Sequence, residues 1–141
     1  MKIFAPVFIF FLTHVAFGQN NSEIDTSDVY IIVDTMPTMA DGSDISTGVR
    51  LFIQKKFRYP DSLTCGLIST IYFEFTISYN GNVVNPNVFF PGNYPDCTND
   101  YEKLRRMGLD VLNDLPTFKP GKHNGKYVNV KFMFPLRILL Q

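Results

Sequence analysis

The sequence has no tryptophan, two cysteines and two histidines, and only 18% of its residues are charged. His14 lies in an apolar N-terminal stretch, so His123 is the one histidine of the folded part. That inventory argues against a His-rich metal site and against a Ser/His/Asp triad. Two cysteines cannot make a four-thiolate zinc site. Gly121 and Gly125 are not followed by the Gly-Lys-Ser/Thr helix start of a phosphate loop. Glu74 has no obvious carboxylate partner for acid–base work, and no base–nucleophile pair is in view. The basic residues are scattered, so no nucleic-acid patch forms. Beyond the N-terminus there is no apolar run of about 18 to 20 residues, so no internal membrane span is expected. The chain is expected to be a binding module rather than an enzyme, with no cofactor and no metal.

What is abundant is bulky apolar material. Of 141 residues, 45% are hydrophobic, with 14 Phe and 7 Tyr, which suits one globular domain. Met1–Gly18 reads as a secretory signal: Lys2, an apolar region Ile3–Phe17, and small residues Ala16 and Gly18 before Gln19. An uncleaved anchor is the alternative. Cleavage implies a periplasmic, exported protein. Residues 19–28 form an acidic linker, and residues 29–141 the domain. Residues 19–48 hold six acids and no Lys or Arg, whereas residues 49–141 hold 12 bases and 7 acids. That split reads either as a solvated acidic leader or as a weakly basic domain suited to acidic peptides.

The β-branched run Val29–Val33 predicts a short strand. Apolar residues at 49, 52, 53 and 57 predict an amphipathic helix over Val49–Phe57, ended by Pro60. Ile68–Ser78 alternates strictly, with Ile71, Phe73, Phe75 and Ile77 on one face. Asn80-Gly81 signals a two-residue type I′ hairpin. That turn pairs Ile77 with Val84, Phe75 with Pro86, Phe73 with Val88 and Ile71 with Phe90, all apolar. Pro86 makes strand Asn82–Phe90 an edge. Asn99 and Glu102 resemble a capping box for a helix over Asn99–Leu115, which Pro116 ends. Pro120–Gly125 is a turn-rich connector, and Tyr127–Leu136 a final alternating strand. The expected fold is α+β: a three-stranded antiparallel sheet, order 2-1-3, with both helices on one face. Its free edge is Tyr127–Leu136.

Three blocks resemble the C-terminal domain of the TonB family of energy transducers. They are Leu51 through Tyr59-Pro60, Gly66 through Gly81, and Leu104 through Leu136. The last contains Leu115-Pro116-Thr117-Phe118-Lys119-Pro120-Gly121, then Asn124-Gly125-Lys126-Tyr127-Val128, and Pro135. Val33-Asp34-Thr35-Met36-Pro37 is similar to a subgroup with Met-Pro before the first helix. The chain departs from the pattern at Ser69, at Leu104-Arg105 and in an insertion at 93–100. The family's long proline-rich spacer has no counterpart, since ten residues of linker reach at most about 35 Å.

The resemblance implies capture of an extended peptide from an outer-membrane TonB-dependent transporter by β-augmentation. The edge strand would supply Tyr127, Val128, Asn129, Val130, Lys131, Phe132, Met133 and Phe134. Tyr59 and Pro60 resemble the family's contact motif, and they also read as a helix stop with a packed ring. An inner-membrane motor assembly is a further implied partner, and a homodimer is an alternative use of a free edge. The other functional reading keeps the fold as a stand-alone structural or regulatory interaction domain without force transduction. Carrying the hairpin register outward sets Cys65 one residue from facing Cys97, so a disulfide between them is expected in an oxidising compartment.

Overall fold

The computed structural model describes residues 24–61, 63, 70–92 and 95–138. In chain order they form β1 (Ile24–Tyr30), α1 (Ile45–Lys56), β2 (Thr70–Ile77), β3 (Val83–Phe89), a 3₁₀ turn (Pro95–Cys97), α2 (Thr98–Asn113), β4 (Gly121–His123) and β5 (Lys126–Arg137). The fold is α+β. The expected core of three antiparallel neighbours is present as β3-β2-β5. The sheet itself is larger than expected. It has five strands, ordered β1-β5-β2-β3 with β4 also paired to β5. Because β1 runs parallel to β5, the sheet is mixed.

β2 carries the core. Ile71, Phe73, Phe75 and Ile77 have no exposed surface. Full burial of each such side chain contributes about 2–3 kcal/mol before its entropy cost. Phe57, at the end of α1, meets Phe73 edge-on at 5.5 Å. Phe75 stacks among Phe118, Phe132 and Phe134. Val49 and Ile53 of α1 and Leu104, Val111 and Leu112 of α2 close the same cluster. α2 approaches β3 closely because Gly108 has no side chain. A Cβ there would lie 2.9 Å from Val88.

The β2–β3 hairpin follows a different route from the expected one. Ser78 N–H donates to Asn82 O, so the loop has three residues, Tyr79-Asn80-Gly81, with Gly81 at φ +85. This is the three-residue hairpin with glycine in the left-handed position. It pairs Ile77 with Val83 rather than Val84. A one-residue slip would turn every later side chain of β3 to the wrong face. A bulge in β3 at Asn85 and Pro86, opposite the single residue between Glu74 and Thr76 of β2, absorbs it. Asn85 adopts φ 52 there, and Phe73 then faces Val88 as the hydrophobic pattern requires. The two-residue turn with both φ positive occurs elsewhere, at Asn124 (φ 50) and Gly125 (φ 75), between β4 and β5.

Helix boundaries shift for local reasons. α1 starts at Ile45, earlier than its apolar spacing suggests, because Asp44 caps it by accepting from Thr47 N–H at 2.8 Å. The expected Asn99 capping box does not form. α2 begins one residue earlier, behind Cys97, which makes no side-chain cap bond.

The candidate peptide-binding edge

β5 has two unlike halves. On one side, β2 pairs with it from Val130 to Arg137. On the other, β1 runs beside its first half, matching Ile24 with Tyr127, Val29 with Asn129 and Tyr30 with Val130. The edge expected over Tyr127–Leu136 is therefore covered up to Val130. Among the described residues it is open only from Lys131 to Arg137. The expected strand Val29–Val33 is displaced as well. The strand ends at Tyr30, and Ile31 and Ile32 lie beyond it, 73% and 82% exposed.

A strap holds β1 in place. Asn129 Oδ1 accepts from Tyr79 N–H at 3.0 Å, and its Nδ2 reaches Asp28 O at 3.5 Å. Asp34, just past β1, accepts from Asn124 N–H at 2.7 Å and lies 3.4 Å from His123 Nδ1. The His123 ring rests 5.0 Å from that of Tyr30. His123, in the connector read as turn-rich, is thus half-buried at this junction. Tyr127 sits under Lys122 Nζ at 4.5 Å from its ring centroid, and Val128 is buried. Tyr127, Val128, Asn129 and Val130 anchor β1 and the core.

The open half keeps the strand alternation. Phe132, Phe134 and Leu136 turn toward the core. Lys131, Met133, Pro135 and Arg137 are exposed on the opposite face, Met133 by 51%. Lys131 Nζ meets Glu74 Oε2 of β2 at 3.0 Å, so the partner of Glu74 is a lysine. Pro135 lies opposite Tyr72 of β2. A proline is accommodated in a strand where its missing N–H faces no partner strand. That places the backbone groups of Met133 and Arg137 toward the open side, the Lys131 N–H toward Tyr30 at the last β1 pair, and those of Phe132, Phe134 and Leu136 toward β2.

Tyr59 and Pro60 are not part of this strand. Tyr59 is half-buried against the core, and burial together with the charge of Asp100 raises its phenol pKa. It therefore lies by the start of α2, where Tyr101 meets Phe90 at 4.7 Å. Pro60 follows α1 as a helix stop, with α1 ending at Lys56. Cys97 is half-buried immediately before α2, and no cysteine among the described residues is free. Cys65 lies outside the described residues, so the expected pairing stands as a proposal.

One contributor escaped the sequence reading. Arg50 of α1 lines a small apolar cleft with Ile53, Phe73, Phe134, Pro135 and Leu136, beside the open half of β5. Its place three residues before the buried Ile53 puts it on the helix flank, which was the available signal. Among the described residues no group of three His, Cys, Asp or Glu could hold a metal ion, and no helix is long and apolar enough to cross a membrane. In comparisons with family models, curated proteins and solved structures, the chain matches none.

Proposed function

We propose that the chain is a binding module that captures an extended peptide along Lys131–Arg137 of β5 by β-augmentation. The observation that carries this reading is the half-covered strand. β1 shields Tyr127–Val130 and stops at Tyr30, while the next seven residues offer backbone groups on one side. Unpaired N–H and C=O groups are a template for another strand, and backbone bonds give affinity with little demand on sequence. Lys131 and Pro135 are residue types that guard edges against indiscriminate pairing. Their presence fits an edge that accepts a chosen strand rather than any strand. The resemblance to TonB C-terminal domains supports the same site and names the partner class. In that reading the module is exported after cleavage near Gly18 and binds plug-end peptides of outer-membrane TonB-dependent transporters in energy-coupled transport. Contact with an inner-membrane motor assembly belongs to the same proposal.

The test is titration of the chain with such peptides, for the wild type and for Met133→Pro. Met133→Pro removes an N–H that faces the open side, so it should keep the fold and weaken binding about tenfold, the worth of one to two backbone hydrogen bonds. A folded Met133→Pro protein with unchanged affinity would place the site elsewhere. Retention of the fold with no peptide bound by the wild type would favour the stand-alone interaction domain.

A further inference from the structure

The open half of β5 has a charge and hydropathy pattern of its own. Its exposed face reads Lys131, Met133, Pro135, Arg137: a cation, two apolar residues, a cation. The two cations are six residues apart, or about 20 Å along the strand. The other face of the same segment, Phe132, Phe134 and Leu136, is apolar. Arg50 stands beside the Phe134–Leu136 end from the helix side. Among the described residues the one acid in an ion pair with this segment is Glu74, which meets Lys131. Among the described residues no ion pair involves Arg137, which pairs with Thr70 through the strand alone. Positive charge is therefore concentrated at the Arg137 end and flanks the edge on both faces.

Cross-strand neighbours on one face interact directly, favouring opposite charges and opposing like ones. Resting on the edge reading above, we propose that the occupant is an acidic extended peptide of complementary pattern. It has acids at positions one and seven, apolar residues at three and five, and apolar residues between. The acid beside Arg137 contributes most, because Lys131 is already shared with Glu74. The pattern is nearly symmetric, so it fits a strand in either direction. It also disfavours a second copy of this chain. Antiparallel pairing of two β5 strands centred on Phe134 sets Lys131 of one copy opposite Arg137 of the other.

The experiment uses the full chain and two synthetic eleven-residue peptides. One carries the acidic pattern, and the other has Gln in place of both acids. Affinities are read by fluorescence anisotropy at low and at high salt, for the wild type, Arg137→Gln and Lys131→Gln. The acidic peptide should bind about tenfold more tightly than its amide twin at low salt, with the advantage shrinking as salt screens it. Arg137→Gln should remove about fivefold of that advantage and leave the amide peptide unaffected, while Lys131→Gln removes less. Equal binding of both peptides would overturn the charge proposal while leaving edge capture standing. Binding of neither peptide, with transporter peptides still captured, would also overturn it. Failure of every peptide would remove the edge reading and this inference together.

Discussion

Tyr30 pairs with Val130, and at that pair β1 leaves the edge of β5. Val130 has Ile77 on its other side, so it is held from both directions, whereas Lys131 next to it faces only Thr76. The boundary between the structural half and the open half of β5 therefore falls within one peptide unit. Asn129 reinforces it by joining the β2–β3 turn to β1. Asn129→Ala should cost about 1–3 kcal/mol, since it strands the Tyr79 N–H in a half-buried site. It should also speed amide exchange in residues 28–30 more than in β2. Denaturant midpoints and hydrogen exchange measure the two effects.

Gly81 and Gly125 both have positive φ, and the structure separates them. A Cβ on Gly81 would lie 2.1 Å from Phe118 O, and Gly81 O accepts from Phe118 N–H at 2.8 Å. A Cβ on Gly125 would meet nothing within 4 Å. Gly125→Ala should cost only the left-handed backbone penalty, about 1 kcal/mol. Gly81→Ala should cost at least about 3 kcal/mol, because backbone must also move. Urea unfolding of the two variants gives the comparison.

The bulge at Asn85 makes a similar demand. Asn85→Gly should be neutral within about 0.5 kcal/mol, and Asn85→Val should destabilise by about 1–2 kcal/mol, since a β-branched residue resists φ 52. Equal stability of all three proteins would show that the bulge is not fixed at this residue.

Acid should act on the start of α1. The Thr47 N–H bonded to Asp44 holds its carboxyl below the usual value of 3.8. A carboxyl whose folded pKa is depressed stabilises above its unfolded value, and that contribution is lost as pH falls through the folded pKa. The cap is therefore intact at neutral pH, and its contribution falls away as pH drops from 3.8 toward the lower folded value. Asp44→Asn can still cap without titrating, so the acid limb of its thermal unfolding curve should be shallower than that of the wild type.

The bridge between Cys65 and Cys97 is testable on unreduced protein from an oxidising compartment. Thiol counting should find none free. Cys97→Ser should destabilise by about 3–4 kcal/mol, the chain-entropy value for a loop of about 33 residues. Two free thiols would reject the bridge.

Much of this architecture was legible in residue patterns. Ile71, Phe73, Phe75 and Ile77 announced the central strand, Pro86 its edge neighbour, and Leu104 through Leu112 the second helix. Three features were not. β1 runs through Asp25, Thr26, Ser27 and Asp28, a polar stretch with no alternation to read, and its pairing to β5 is a backbone matter. The apolar run that did look like a strand, Ile31-Ile32, is left exposed beyond it. β4 is three residues long, too short for any periodicity, and only its Asn124-Gly125 turn signalled it. For the candidate site, the alternation that marks Tyr127–Leu136 as a strand was legible. The covering of Tyr127–Val130 and the approach of Arg50 depend on long-range placement that no local pattern encodes.

Amide exchange across β5, with and without a bound transporter plug-end peptide, tests the central claim most directly. In the free protein the amides of Phe132, Phe134 and Leu136 should be protected by β2, and those of Met133 and Arg137 should exchange quickly. On saturation with peptide those two should become protected, while residues 127–131 change little. Saturable binding that leaves the Met133 and Arg137 amides as fast as before would contradict capture by β-augmentation at this edge.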